Sequence, residues 1–363
     1  MNKRITFIDA ARAVGIMLVV LGHVIGLGEM TFSGSDVVFK YIYSFHMALF
    51  FVISGLVLGH SFLGKTITQS DIKHRIRSRI QRLLIPYFVW SFIYFLLDVS
   101  TLKDLSVVKE WIYCIFTFRG RAPVWFLGAL FWAEICVILI ISIFKQNKIR
   151  ISIFTLVIAV AAVFLWKLYG IFPKLPMPVD YLVSSICRET ICVFFVLSGY
   201  LFSQRIVREE SIGTSLLWAV GVGCVNFLVF WLFCDGNNLH TYHILNLYSF
   251  LINGLLGSLT VLLLCKALCK VIKALLLQRI GGASLGIMCI HYTHLPFIQY
   301  GADICSILHL SGLAACAVSF CFVFIVSFIL TEILKKTVGF KIRNAAVLYD
   351  DILTEVSRYD KRL

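Results

Sequence analysis

Apolar residues in this chain fall in long blocks separated by short polar intervals, without the period-two alternation of half-buried strands. About 20 predominantly apolar residues suffice to cross a bilayer as a helix. Blocks of that kind run near 5–27, 37–59, 83–99, 122–143, 151–169, 181–203, 213–234, 244–264, 282–300 and 312–334. The pattern predicts an all-α, polytopic integral membrane protein of about ten transmembrane helices. The interval 100–121 is different in kind. Trp111, Ile112, Ile115 and Phe116 are interleaved there with Lys109 and Arg119, an amphipathic segment suited to the membrane surface. Residues 1–334 read as one transmembrane domain and 335–363 as a short charged tail, with no interval long enough for a second, soluble domain. The opening Met1-Asn2-Lys3-Arg4 and apolar run have the outline of a signal peptide. Asp9 and Arg12 inside the run, and the lack of a clear small-residue cleavage site, argue for a retained first span.

Composition supports a lipid environment. The chain has 363 residues, of which 60% are hydrophobic and 14% charged, against about 25% charged in a soluble domain. The net charge of +14 lies in short clusters between apolar blocks, without the aromatic-interleaved basic patch that grips nucleic acid, so nucleic-acid binding is not expected. The distribution of Lys and Arg sets the orientation. With the N-terminus inside, 24 of the 33 fall in intervals on the inner side and 5 in intervals on the outer side. This alternation predicts both ends in the cytoplasm of a multi-pass protein of the cell (plasma or inner) membrane. The 12 cysteines lie almost entirely within apolar blocks and form no CxxC pair, so they read as small apolar residues.

Ionisable groups inside a span are costly and mark function by default. The first block carries three, Asp9, Arg12 and His23. Eleven residues separate Arg12 from His23, which leaves the two within about 20° of one helix face and ~16 Å apart along the axis. Asp9, three residues before Arg12, is within side-chain reach of it. One stripe therefore offers a guanidinium that can hold phosphate or a carbonyl oxygen. Farther along lies an imidazole that can take a proton from a hydroxyl. The plainer alternative is that Asp9 and Arg12 reach back to one interface while His23 caps the other end.

At these residues the sequence resembles the acyltransferase-3 family of membrane-bound O-acyltransferases, whose signature is Arg or Lys, ten residues, then His in the first span. Four further segments match in order. FHMALFFVISG at 45–55 is similar to the second span of the fucose 4-O-acetylase-like branch, with Ala48 where that branch often has Pro. RIRSRIQRLLIPYF at 75–88 resembles the basic entry to span three. VWFLGALF at 124–131 matches span four. SLGIMCIH at 284–291 resembles a segment near the end, with Met288 in place of the usual Tyr. The two departures bear on the substrate subgroup.

The resemblance implies a cytoplasmic acyl-CoA donor (acetyl-CoA or another) and an acceptor that is a sugar of the cell envelope or a lipid-linked glycan, met at the outer face within the membrane lipids. It implies His23 as general base, Arg12 as the group that orients the donor or stabilises the thioester oxygen, and Asp9 as the partner that orients or merely neutralises Arg12. Arg79 and Arg82 would meet the phosphates of coenzyme A, although the positive-inside rule alone places arginines there. Trp125, grouped with the cofactor-binding candidates, is either an interfacial anchor or a stacking surface for adenine or sugar. His46, Ser54, Glu134 and His291 are the candidate acceptor-pocket residues. Gly55, with Ser54, also suits close helix approach.

Glu134 has no partner in its own neighbourhood; Arg188 and Glu189 are candidates, or pair with each other. FFVLSGY at 194–200 repeats the phrase of span two, by duplication or by convergent helix packing. His291 and His294 stand three apart, but without a third local ligand no metal is expected. The rival function is a polysaccharide exporter or transporter-like protein. Matched broken helices would favour it, and the six prolines are expected outside span centres.

Overall fold

In lipid every backbone N–H and C=O must be satisfied within the protein, and the apolar blocks accordingly form helices. The computed structural model describes residues 5–27, 31–62, 66–99, 104–171, 175–233, 236–272, 274–292 and 296–360. Fourteen α-helices follow in order: α1 Thr6–Leu27, α2 Ser35–Tyr43, α3 His46–Phe62, α4 Gln69–Arg79, α5 Ile85–Val99, α6 Leu105–Phe116, α7 Trp125–Ile143, α8 Lys148–Ile171, α9 Val179–Val207, α10 Ile212–Phe233, α11 Leu247–Val271, α12 Leu275–Ile290, α13 Phe297–Ile307 and α14 Gly312–Asp360. Among the described residues nine helical stretches are long and apolar enough to cross a membrane. The protein is a polytopic helical membrane protein.

The block predicted at 282–300 is not one span. It comprises the 16-residue α12, about 24 Å long, and α13, separated by a break that begins at His291. The residues that follow α12 are polar ones and a proline, His291, Tyr292, Thr293, His294 and Pro296 with Leu295 among them, a composition that marks the break once the block is not read as a single run. Span two is also jointed, at Ser44 and Phe45 between α2 and α3. One proline, Pro86, stands in the first turn of α5, near the start of the span predicted at 83–99. Pro86 lies well inside the 30-residue stretch Gln69–Asp98, where it lacks an N–H and crowds the carbonyl four residues back. The helix accommodates it with a π-turn at Ile80–Leu84, in which the Ile85 N–H reaches the Ile80 carbonyl.

α3 and α9 form the centre, and the repeated phrase explains how. A Cβ on Gly55 would strike the Val196 carbonyl, and one on Gly199 would strike the Val52 carbonyl. The two FFV-x-SG phrases are packed against each other, each glycine admitting the other helix's backbone. α1 and α12 approach as closely, with Gly281 against the backbone of Asp9. The periphery is α8 and α10, which present Leu156, Val160, Leu217 and Trp231 outward, all more than half exposed. Such surfaces suit lipid, not water. The amphipathic interval forms α6, capped by Asp104. It is held by Trp111, whose indole N–H donates to Asp98 at 3.0 Å, and by the Arg121–Glu110 ion pair at 3.1 Å.

Candidate functional site

Two cavities lie along the stripe of α1. The larger, a basic chamber of about 550 Å³, is lined by Asp9, Arg12, Ser54, His60, Arg79, Arg82 and Glu134 among others. The smaller, an imidazole chamber of about 190 Å³, is lined by Val19, His23, Tyr43, His46, Trp125, Asn238, His240 and Tyr292 among others. Met288 borders both. α12 thus runs beside α1 from one chamber to the other, with Ser284, Met288 and His291 at successive turns of one face.

In the basic chamber Arg12 donates to Asp9 at 3.2 Å, the pair expected from their spacing. Glu134 finds a partner that its sequence neighbourhood does not suggest. It forms an ion pair with Arg79 and accepts from the Ser54 hydroxyl, a short contact in each case, so one carboxylate ties α4, α3 and α7 together. Arg188 pairs instead with Glu189, at 3.1 Å. Among the described residues Arg82 has no ion-pair partner and its side chain is exposed at the chamber. His60 lines the same cavity with its Nδ1 buried and without a hydrogen-bond partner.

The imidazole chamber is built on different terms. His291, fully buried at the end of α12, contacts the Ile287 carbonyl through Nδ1 at 2.9 Å and His23 Nδ1 through Nε2 at 2.7 Å. The two rings are 14° from coplanar. Their 4.9 Å centre separation is the 2.7 Å bond plus the two ring radii, so they meet edge to edge. His46 Nδ1 contacts the Ile42 carbonyl at 2.7 Å. His240 Nε2 contacts the Gly120 carbonyl at 3.2 Å, with its ring parallel to Trp125 at 5.5 Å. A carbonyl only accepts, so each contacting nitrogen carries the proton and the other nitrogen of His46 and of His240 is a bare acceptor.

The wall behind Trp125 is organised by Arg188, whose side chain is 1% exposed. It donates to the carbonyls of Phe118 at 2.7 Å, Arg119 at 3.0 Å and His240 at 3.3 Å, and its guanidinium stands 5.1 Å from the Trp125 ring. Phe118 has a left-handed backbone, φ 57°, a conformation costing a non-glycine residue about 1–2 kcal/mol. The fork of Arg188 supplies the compensating bonds.

Of the residues singled out in the sequence, the structure brings Arg12, Arg79 and Arg82 together in the basic chamber and His23 and His46 together in the imidazole chamber. Three others are redistributed. Trp125 opens α7 in the imidazole chamber, away from Arg79 and Arg82, so it does not stand with the candidate phosphate ligands. Glu134 is nine residues and ~13 Å farther along the same helix, in the basic chamber. Ser54 accompanies it, two turns along α3 from His46. Neither belongs with the acceptor candidates. His291 stands behind the imidazole chamber, hydrogen-bonded to His23 and in ring contact with Tyr292. His240 and Arg188 complete the site, and His240 carried no signal beyond being an imidazole in an interval beside candidate spans. His294 lies outside the described residues.

Apolar helices thus enclose one cavity rich in guanidinium and another rich in imidazole, both inside a membrane bundle. A model of the acyltransferase domain matches residues 5–332. The chain belongs to the acyltransferase-3 family. It is similar to the nodulation proteins NolL of Mesorhizobium japonicum, at 28% identity over 222 residues, and of Sinorhizobium fredii, at 28% over 235 residues. These alignments cover 60% and 61% of this chain and 52% and 57% of the relatives, so the chain spans little more than half the length of the proteins it matches. No solved structure matches it.

Proposed function

We propose that this protein is an O-acyltransferase of the cell membrane, oriented with the basic chamber toward the cytoplasm. It takes an acyl group, an acetyl group in the first instance, from acyl-CoA and gives it to a hydroxyl of a cell-envelope sugar or lipid-linked glycan. The observation that carries the reading is the division of one helix stripe between two chambers, with Arg12 in one and His23 in the other. The pantetheine arm of coenzyme A has the length of roughly four extended residues, ~14 Å. That matches the ~16 Å rise from Arg12 to His23 once two long side chains are allowed for. Phosphates held at the mouth by Arg82, which has no ion-pair partner among the described residues, would bring the thioester past Met288 to His23.

The chemistry then needs one base. His23 Nε2 accepts the proton of the acceptor hydroxyl while its oxygen attacks the thioester carbonyl carbon. The C–S bond breaks, and the departing thiolate takes the proton from the imidazolium, leaving an ester and free coenzyme A thiol. Arg12, oriented by Asp9, would attract the electron-rich end of the donor during its approach. The other bare imidazole nitrogens, on His46 and His240, suit an acceptor with further hydroxyl donors. The test is purified protein in liposomes with radiolabelled acetyl-CoA and envelope glycan extract. His23→Ala should lower label transfer by roughly 10²–10⁴-fold at unchanged expression; undiminished transfer removes His23 as the base.

A further inference from the structure

We propose that His291 is a positioning residue that fixes His23 in the tautomer with Nδ1 protonated and Nε2 bare. The inference rests on the reading of His23 as base and adds how that base is set. The chain of hydrogen bonds has one anchored end. The Ile287 carbonyl accepts, so His291 Nδ1 holds a proton and donates it at 2.9 Å. A neutral imidazole carries one N–H. His291 Nε2 is consequently an acceptor, and the 2.7 Å contact requires His23 Nδ1 to donate. What remains on His23 is the lone pair of Nε2, on a ring that lines the imidazole chamber. The coplanar, edge-to-edge alignment also holds the plane of the ring.

The arrangement suits the whole reaction. When His23 takes the hydroxyl proton it becomes a cation hydrogen-bonded through Nδ1 to a neutral acceptor, a stronger bond than before the transfer. His291 thus does for His23 what a second partner does for a metal-bound histidine, setting which nitrogen is used by what it does to the other. His291 is fully buried and is not among the residues lining the chamber. It acts without touching the acceptor.

Two amide substitutions separate this role from one in merely ending the helix. A glutamine amide reproduces the position of Nε2 and can still accept from His23. An asparagine amide reproduces Nδ1, keeping the bond to Ile287 while falling short of His23. His291→Asn should lower kcat for acetyl transfer by roughly 10²-fold with KM for both substrates unchanged, and His291→Gln should recover most of that loss. If Asn retains activity, or if the loss in both variants merely follows the loss of folded protein, His291 is a structural helix end and the proposal fails. Wild-type transfer that persists in His23→Ala would instead defeat the reading of the base. A measurement independent of turnover is ¹⁵N-histidine NMR in detergent, with His23 identified by loss of its signals in His23→Ala. A protonated Nδ1 and bare Nε2 support the lock, and a protonated Nε2 overturns it.

Discussion

The two chambers solve the same difficulty, polar side chains inside a membrane protein, in opposite ways. In the basic chamber charge is set against charge across helices: Arg12 with Asp9, Arg79 with Glu134, and Ser54 as a further donor to that carboxylate. Among the described residues Arg82 is the guanidinium of this chamber left without an ion pair. In the imidazole chamber the groups are anchored through one nitrogen to backbone carbonyls, or to a histidine that is itself so anchored. Fixed charges organise the first; neutral tautomers organise the second. A chamber of fixed charges suits a polyanion at its mouth, whereas proton acceptance needs bare lone pairs and neighbours that do not compete for the proton.

The contrast would break most visibly at Arg188, a buried cation behind the imidazole wall. Its substitution by alanine strands three loop carbonyls and the Glu189 carboxylate, and frees the left-handed Phe118 from its partner. Removing one partner of a buried ion pair costs about 3–5 kcal/mol. Arg188→Ala should therefore lower thermal stability in detergent by more than any other single change considered, and Arg188→Lys should recover little, because an ammonium cannot reach carbonyls on two loops as a planar fork does. A stable, active Arg188→Ala protein would show that the wall is held by something else.

In the basic chamber the test is a double-mutant cycle. Glu134→Gln alone leaves the Arg79 guanidinium buried without its counter-charge and should cost roughly 3 kcal/mol. Arg79→Gln alone strands Glu134 and should cost a similar amount. The double variant should be less destabilised than the two together by about 1–3 kcal/mol, the range for residues in one network. Strict additivity in thermal unfolding would mean that the pair is not coupled.

The asymmetry also governs what the sequence makes legible. The α1 stripe is readable because a single helix with a 3.6-residue period carries it, and the structure puts Arg12 and His23 in the two chambers as that period requires. The depth of Ser54, Trp125 and Glu134 was equally available. Residues eight or nine apart on one span cannot sit at one level of the membrane, yet grouping them by family motif placed Glu134 with His46 and Trp125 with Arg79. What pattern cannot supply is the pairing between spans. Glu134 with Arg79, and His23 with His291 across 268 positions, depend on which helices become neighbours. The close approach of α1 to α12 at Gly281 decides the second of these. The break at His291 was legible, since Tyr292, Thr293, His294 and Pro296 follow it, but it is lost when 282–300 is read as one apolar block.

The smallest expected effect isolates one neutral imidazole outside the spans. Enclosure in the loop, reinforced by Arg188, pushes His240 down to about 3, against about 6.5 for the unfolded chain. Its folded-state value is depressed, so between pH 3 and 6.5 the unfolded chain binds the extra proton. Stability is then complete above about pH 6.5 and falls as the pH is lowered through that window, by up to about 1.4 kcal/mol per pH unit for this one group. His240→Gln keeps a donor for the Gly120 carbonyl and has nothing to titrate. Thermal unfolding of the two proteins between pH 7 and pH 5 should therefore diverge, with the wild type losing stability more steeply on acidification. Parallel curves would mean that the loop opens to water and that His240 titrates normally. The imidazole chamber would then lack the tautomeric order that distinguishes it from its neighbour.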